Sequence, residues 1–209
     1  MRKRVSCCAL GPILLCCLTT VVASPAQTFS TLAYFNQTNG SFPAAAMTQG
    51  IDGNLYGTTV QGGVVNRGTL FKIATGGQLT TLYSFCARQN CADGEYPYSS
   101  VVQDQSANFW GTTLGGPIQG SGTVFKITDT GALTTVYSFS GTDGAQPKAG
   151  LTLGSDGNFY GTTSSGGANN GGTLFKISPA GTLTTLHNFN FSDGNYPVSG
   201  LIQATNGAF

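Results

Sequence analysis

The stretch Ala149-Gly150-Leu151-Thr152-Leu153-Gly154-Ser155-Asp156-Gly157-Asn158-Phe159-Tyr160-Gly161-Thr162-Thr163 decides the fold. Two runs rich in apolar and β-branched residues flank an Asp-Gly pair. That pair is a hairpin signal, because glycine accepts the positive φ that the turn demands. A first strand is expected over 149–153 and a second over 159–163. Reading outward, the glycine-rich loop Ser164 to Gly172 leads to a third strand over 173–178. Pro179-Ala180-Gly181 then turns the chain into a fourth over 183–189. Thr, Val, Tyr, Phe and Leu fill these runs as β propensity expects, and no stretch shows helical periodicity with caps.

The unit recurs along the chain. Thr31 to Phe35 returns at Thr81 to Phe85, Thr135 to Phe139 and Thr185 to Phe189, at spacings of 50, 54 and 50 residues. Tyr56-Gly57-Thr58-Thr59 returns from Trp110 and from Tyr160, and the run from Gly68 to Ile73 returns from Gly122 and from Gly172. Three markers in one register establish a tandem repeat. Within Thr173 to Ile177, apolar residues fall on both sides of the pleat, so both faces of each sheet need cover. Radial stacking of identical blades provides it. The expected fold is therefore all-β, a β-propeller-like array of four-stranded antiparallel blades with about 3.5 blades present. An open β-solenoid or stacked-sheet array is the alternative. The repeats run over about 31–80, 81–134 and 135–184, with a partial copy over 185–209. Closed propellers have about four to eight blades, so the chain is expected to be a fragment of a larger ring, with the leading strand over 31–35 completing its final blade.

The pattern Asp-Gly-Asn-(Leu/Phe)-Tyr-Gly-Thr-Thr, then Gly-Gly, then Gly-Thr-(Leu/Val)-Phe-Lys-Ile, then Leu-Thr-Thr-Leu-Tyr-Ser-Phe resembles the GloVer tandem repeat of bacterial "choice-of-anchor" surface proteins. The resemblance covers nearly all of residues 28–209. It implies an exported bacterial protein with many such repeats and an anchoring segment, expected in sequence beyond Phe209. It implies no enzymatic activity and carries over no catalytic residue.

Met1-Arg2-Lys3-Arg4, the uncharged run over 5–23 and the small residues Ser24-Pro25-Ala26 have the layout of an export signal, with cleavage expected after Ala26 or, second, after Ala23. A retained membrane anchor is the other reading of that run. With residues 1–26 set aside, the repeat domain spans 27–209, carries no transmembrane segment and is expected outside the cell or on its surface. Its six basic residues, Arg67, Lys72, Arg88, Lys126, Lys148 and Lys176, face eight acids, a net charge of −2. No basic patch neutralises phosphates, which excludes a nucleic-acid binder. Only Cys86 and Cys91 remain of the six cysteines. They fall inside the four-residue insertion behind the 54-residue spacing and are expected to pair, in a compartment where disulfides persist.

A four-stranded meander puts tight turns at one end and long loops at the other, and loops on a rigid scaffold carry function. The expected ligand-binding face is the long-loop end, with Phe42, Tyr96, Tyr196, Arg88, Asp143 and Asp193 as candidate contacts to a glycan or surface polymer. The aromatics Phe42, Tyr96 and Tyr196 could stack on sugar rings, although Gln146 breaks the series. Asp93, Asp143 and Asp193 each precede a glycine, which turn chemistry explains. One carboxylate per loop is too few for calcium, so no metal or cofactor is expected. Tyr56, Trp110 and Tyr160 read as blade packing, Lys72, Lys126 and Lys176 as solvated edges, and His187 as core or flank packing. With a single histidine, no Ser-His-Asp arrangement is legible. The second functional reading is a secreted carbohydrate-active propeller enzyme, which needs paired carboxylates in a cleft.

Overall fold

The computed structural model describes residues 29–118 and 120–209. The export-signal reading over 1–26 lies outside them. The span Thr31–Phe209 forms one compact unit of three four-stranded antiparallel sheets. The first contains β1 (Thr48–Gln49), β2 (Leu55–Thr59), β3 (Thr69–Ile73) and β4 (Leu79–Ser84). The second contains β5 (Val102–Gln103), β6 (Phe109–Thr113), β7 (Thr123–Ile127) and β8 (Leu133–Ser138). The third contains β9 (Thr152–Leu153), β10 (Phe159–Thr163), β11 (Thr173–Ile177) and β12 (Leu183–Asn188). Each sheet pairs its strands in sequence order, as propeller blades do.

The repeated motifs have direct packing reasons. Gly57, Gly111 and Gly161 lie opposite Phe71, Phe125 and Phe175 in the ladders. A Cβ on any of the three glycines would lie 2.6–2.7 Å from the facing ring, so only glycine lets the phenyl lie across the strand. Each third strand carries a bulge at the same point, between Leu70 and Phe71, Val124 and Phe125, and Leu174 and Phe175.

The core lies between blades. One cluster joins Tyr56 and Leu70 of the first blade, and Phe85 just after its outer strand, to Phe109, Phe125 and Ile127 of the second blade. Another joins Trp110, Val124 and Phe139 to Phe159, Phe175 and Ile177. Two aromatic contacts repeat at each junction. Tyr56 stacks on Phe109 at 3.9 Å, Trp110 on Phe159 at 4.2 Å and Tyr160 on Phe209 at 4.0 Å. The phenylalanine that ends each outer strand meets the next blade edge-on, Phe85 against Phe125 and Phe139 against Phe175. Fully burying one such side chain stabilises by about 1.5–3 kcal/mol, so each blade depends on its neighbour for much of its stability.

Two expectations need correction. The first strand of each blade has two residues rather than five. The residues before it bond across the junction instead: Thr58 donates to the carbonyl of Ser99, and Thr112 to those of Pro147 and Ala149. The leading stretch over 31–35 is in no strand, because its counterparts β4 and β8 pair with a third strand that has no equivalent before Thr31 among the described residues. Phe35 still packs edge-on against Phe71, at 5.0 Å.

Candidate functional site

At the tight-turn end the aspartates hold their own hairpins, and a cleft of about 480 Å³ walled by Asp104, Ser106, Ser155, Asp156 and Pro179 among others lies between the turns of the second and third blades. Asp52 accepts from the Tyr56 hydroxyl, Asp104 from the Trp110 indole and Asp156 from the Tyr160 hydroxyl, each at 2.8 Å. Burial pushes the Asp104 carboxyl up, but hydrogen bonds from Trp110, Asn108 and Ser106 outweigh it and hold the group below the usual carboxylate range. The aromatic that stacks on the next blade is thereby tied to its own hairpin turn. Lys126 is no solvated edge lysine: it is half-buried on the inner strand β7, paired on both sides, and lies over the Trp110 ring at 5.7 Å.

At the long-loop end, paired threonines form a buried floor. The hydroxyls of Thr59 and Thr69, Thr113 and Thr123, and Thr163 and Thr173 lie 2.7–2.8 Å apart. Gly144, at φ +124°, rests on the last pair so closely that a Cβ would lie 2.5 Å from the Thr163 hydroxyl.

Above this floor stand the loop aspartates, and each does more than turn the chain. Asp93 is fully buried and accepts from the Tyr83 hydroxyl and from the backbone N–H groups of Ala87 and Arg88. Asp143 accepts from Tyr137 and from the Ser140 backbone and hydroxyl. Burial, and after it the hydrogen bond to the facing aspartate, pushes Tyr83 and Tyr137 each up to about 12. Asp193 accepts from Asn190 and lies 2.9 Å from His187 Nε2. The Asn190 backbone first, then His187, holds the Asp193 carboxyl below its ordinary range. His187 is thus not a core residue: it is a half-exposed partner of Asp193 in the tyrosine slot. The carboxylates of Asp143 and Asp193 are accordingly occupied within the chain.

Phe42, Tyr96, Gln146 and Tyr196 share one backbone position, and all four are left-handed, at φ 61°, 57°, 55° and 49°. This conformation aims the backbone both ways. The N–H groups of Tyr96, Gln146 and Tyr196 donate to Arg67, Ser121 and Gly171 of the preceding repeat. The carbonyls of Phe42, Tyr96 and Gln146 accept from Val60, Leu114 and Ser164. Phe42 and Tyr196 are more than half exposed, and Arg67 caps the Tyr96 ring at 4.9 Å while pairing with Glu95 at 3.1 Å.

In the enlarged loop, Cys86 and Cys91 form a disulfide with Cα atoms 4.1 Å apart. Arg88 is not directed to a ligand here; it donates to the Leu133 carbonyl at 3.0 Å. Glu95 lies beside the two sulfurs, but a disulfide offers no thiolate to a metal.

The Gloeobacter/Verrucomicrobia repeat matches residues 19–209, nearly the whole chain and all of the repeated blades. The chain belongs to this repeat family. No curated protein matches it. Among solved structures, the extracellular domain of a protein assigned as a one-component system of B. thetaiotaomicron aligns at TM-score 0.53 and 14% identity, over 78% of this chain and 19% of that one. A protein assigned to the gluconolactonases aligns at TM-score 0.50 and 16% identity, over 77% of this chain and 54% of that one. Virginiamycin B lyase from Staphylococcus aureus aligns at TM-score 0.49 and 19% identity, over 71% and 42%. The chain thus spans about half or less of each of these structures, and at such identities the likeness concerns the fold, a β-propeller. Enzymes are among these propellers. Among the described residues no helix is long and apolar enough to cross a membrane.

The Gloeobacter/Verrucomicrobia repeat also builds grooves that the sequence did not disclose. Between the loop after one blade's outer strand and the glycine-rich loop of the next blade lies an open cleft. In the third repeat it has a volume of about 720 Å³ and is walled by Ser140, Thr142, Ser165, Gly166, Gly167 and Asn170 among others. In the first repeat the same positions, Thr38, Gly62, Gly63 and Asn66, with Gln37 in place of Gly141, wall a smaller cleft of about 250 Å³. The legible signal was the Gly-Gly…Asn spacing shared by repeats one and three.

Proposed function

We propose that this chain is an exported, non-enzymatic β-propeller module that binds a glycan or surface polymer through its long-loop end, at the cell surface or outside the cell. The observation that carries this reading is the left-handed position shared by Phe42, Tyr96, Gln146 and Tyr196. A non-glycine residue there costs on the order of 1–3 kcal/mol, and glycine would make the same backbone bonds without strain. The chain instead places three aromatics and one amide there, large side chains kept at an energetic cost on a loop surface. Aromatic rings present an apolar body with, for tyrosine, a polar tip, which suits the faces and hydroxyls of sugars. Export is supported by the layout of residues 1–26 and by a cysteine pair suited to an oxidising compartment.

The reading as a carbohydrate-active enzyme has less support. Glycosidases need two carboxylates free to exchange protons. Here Asp52, Asp104 and Asp156 hold turns, Asp93, Asp143 and Asp193 hold loops, and Glu95 pairs with Arg67. Asp104 and Asp156 share one cleft, but each is bonded to its own turn and aromatic, and Asp129 is a single exposed carboxylate on a hairpin turn. The test is a glycan array and a sedimentation assay on insoluble polysaccharides, comparing the exported chain with a Phe42→Ala/Tyr96→Ala/Tyr196→Ala variant. Retention of wild type and loss in the variant is the expected result. Equal retention of the two, or release of sugar products from any bound polymer, would overturn it.

A further inference from the structure

We propose that the groove of the third repeat holds a neutral saccharide chain; the assignment rests on the glycan-binding reading above and gives it a specific site. The groove's volume of about 720 Å³ lies within the range of roughly 300–1,000 Å³ typical of small-ligand sites. Its lining is Gly, Ser, Thr, Ala and Asn, with no ionisable side chain. The nearest carboxylate, Asp143, has its oxygens occupied by Tyr137 and Ser140. Nothing in the groove therefore selects an anion or a cation. Hydroxyls and amides both donate and accept, which is the chemistry that sugar hydroxyls require of a partner. The groove is open along its solvent side, which suits a chain lying across it.

Comparison of the repeats within the chain separates this groove from an ordinary gap between loops. Repeats one and three keep Gly-Gly, a left-handed asparagine (Asn66, Asn170) and a following tyrosine (Tyr96, Tyr196). In repeat two all three differ: Gly116-Pro117, Gly120 and Gln146. Repeat two is also where the disulfide-bearing insertion enters the loop. The first groove is partly closed from within, because Asn66 Oδ1 accepts from Gly62 and Arg67 caps Tyr96. In the third, Asn170 is exposed and makes no equivalent bond, and Gly171 stands in place of Arg67. Gly171 accepts from the Tyr196 N–H at 2.9 Å, which sets the backbone of that exposed tyrosine beside the groove wall. The open version of the site is the third.

The test uses the full chain and isothermal titration with neutral gluco-, manno- and xylo-oligosaccharides, with an oligouronide as the charged comparator. Gly141→Gln places in the third groove the side chain that lines the first. A Cβ at Gly141 meets open space, and Gln37 shows that a glutamine takes a left-handed backbone at the equivalent position, so the cost of the change is the strain of a side chain at φ +93°. Thr142→Val removes one exposed hydroxyl at constant shape and keeps the test valid if Gly141→Gln perturbs folding. A neutral oligosaccharide is expected to bind, and each variant to weaken it about tenfold, the loss of one or two hydrogen bonds. Unchanged affinity in both variants, or binding of the oligouronide alone, overturns the groove while leaving glycan binding intact. Absence of binding to every saccharide overturns both.

Discussion

The hydroxyl of Tyr83, on the outer strand of the first blade, donates a 2.8 Å hydrogen bond to Asp93, in the loop that begins the second. Asp93 has no solvent exposure, and its other acceptor sites are filled by the N–H groups of Ala87 and Arg88. One carboxylate thus fastens the enlarged loop to the blade behind it. Asp93→Ala leaves the Tyr83 hydroxyl without its partner and releases the loop N–H groups of the exposed Ala87 and Arg88, and a buried group left unpaired costs about 1–3 kcal/mol. The expected loss is about 2–4 kcal/mol in urea denaturation. Asp193→Ala, on the exposed fourth-repeat loop, is expected to cost clearly less. Equal losses would show that the buried carboxylate is not the fastening.

Trp110 is the only tryptophan in the chain and is stacked on Phe159 across a blade junction. Its emission therefore reports one interface. Trp110→Ala should cost about 3–5 kcal/mol as a large buried aromatic. Phe159→Ala should cost a similar amount and shift the tryptophan emission to the red while the sheets persist by circular dichroism. An unshifted spectrum would mean that the junction is not packed as described.

The Cys86–Cys91 bond closes a short ring, for which loop-closure entropy gives about 2 kcal/mol. Cys86→Ser/Cys91→Ser is expected to lower stability by no more than that and to leave the blades intact, since Asp93 still holds the loop. A thiol assay on protein recovered from outside the cell should find no free cysteine; two reactive thiols would remove both the bond and the argument for export drawn from it.

The period, the blade count and the second, third and fourth strands were legible because each motif has a purely local cause. Gly57 must lack a side chain under Phe71, and Asp156-Gly157 must turn. The stacking of blades was legible too, but the polar contacts between repeats were not. The first strands were read too long because the hydroxyls of Thr58 and Thr112 reach into the next repeat, a choice that no single unit dictates. Thr162, the third member of that series, is buried with no such partner. The slot of His187 holds tyrosine elsewhere and implies core or flank packing; the flank is where it lies, edge-on to Phe189 at 4.9 Å. Its partner, Asp193, is six residues away around a turn and repeats the contact that Tyr83 and Tyr137 make with Asp93 and Asp143. Phe42, Tyr96 and Tyr196 were legible as candidates by type, but their left-handed backbone was not, because nothing in a Phe-Pro or Tyr-Pro pair demands it. The grooves escaped notice because small polar residues announce a loop before they announce a site.

The strand phenols that hold the loop aspartates also lower stability at alkaline pH. Tyr83 and Tyr137 are raised from 10.0 to about 12 in the folded chain, by burial first and then by Asp93 and Asp143. Between those values the unfolded chain has released phenolic protons that the folded chain still holds, so the unfolded state binds fewer and stability falls as pH rises. The contribution is complete below pH 10 and is lost progressively toward pH 12. The aspartates act at the other end. Asp104 and Asp143 lie below 3.8 when folded, so their contribution is present above that value and lost as pH falls through the folded pKa. Denaturation midpoints measured from neutral pH to pH 12 should therefore fall steeply above pH 10 in the wild type. A Tyr83→Phe/Tyr137→Phe variant should start lower and fall less, with the residual slope due to Tyr56 and Tyr160, which are also raised. Parallel curves for the two proteins would mean that the phenol–carboxylate pairs do not link the loops to the blades.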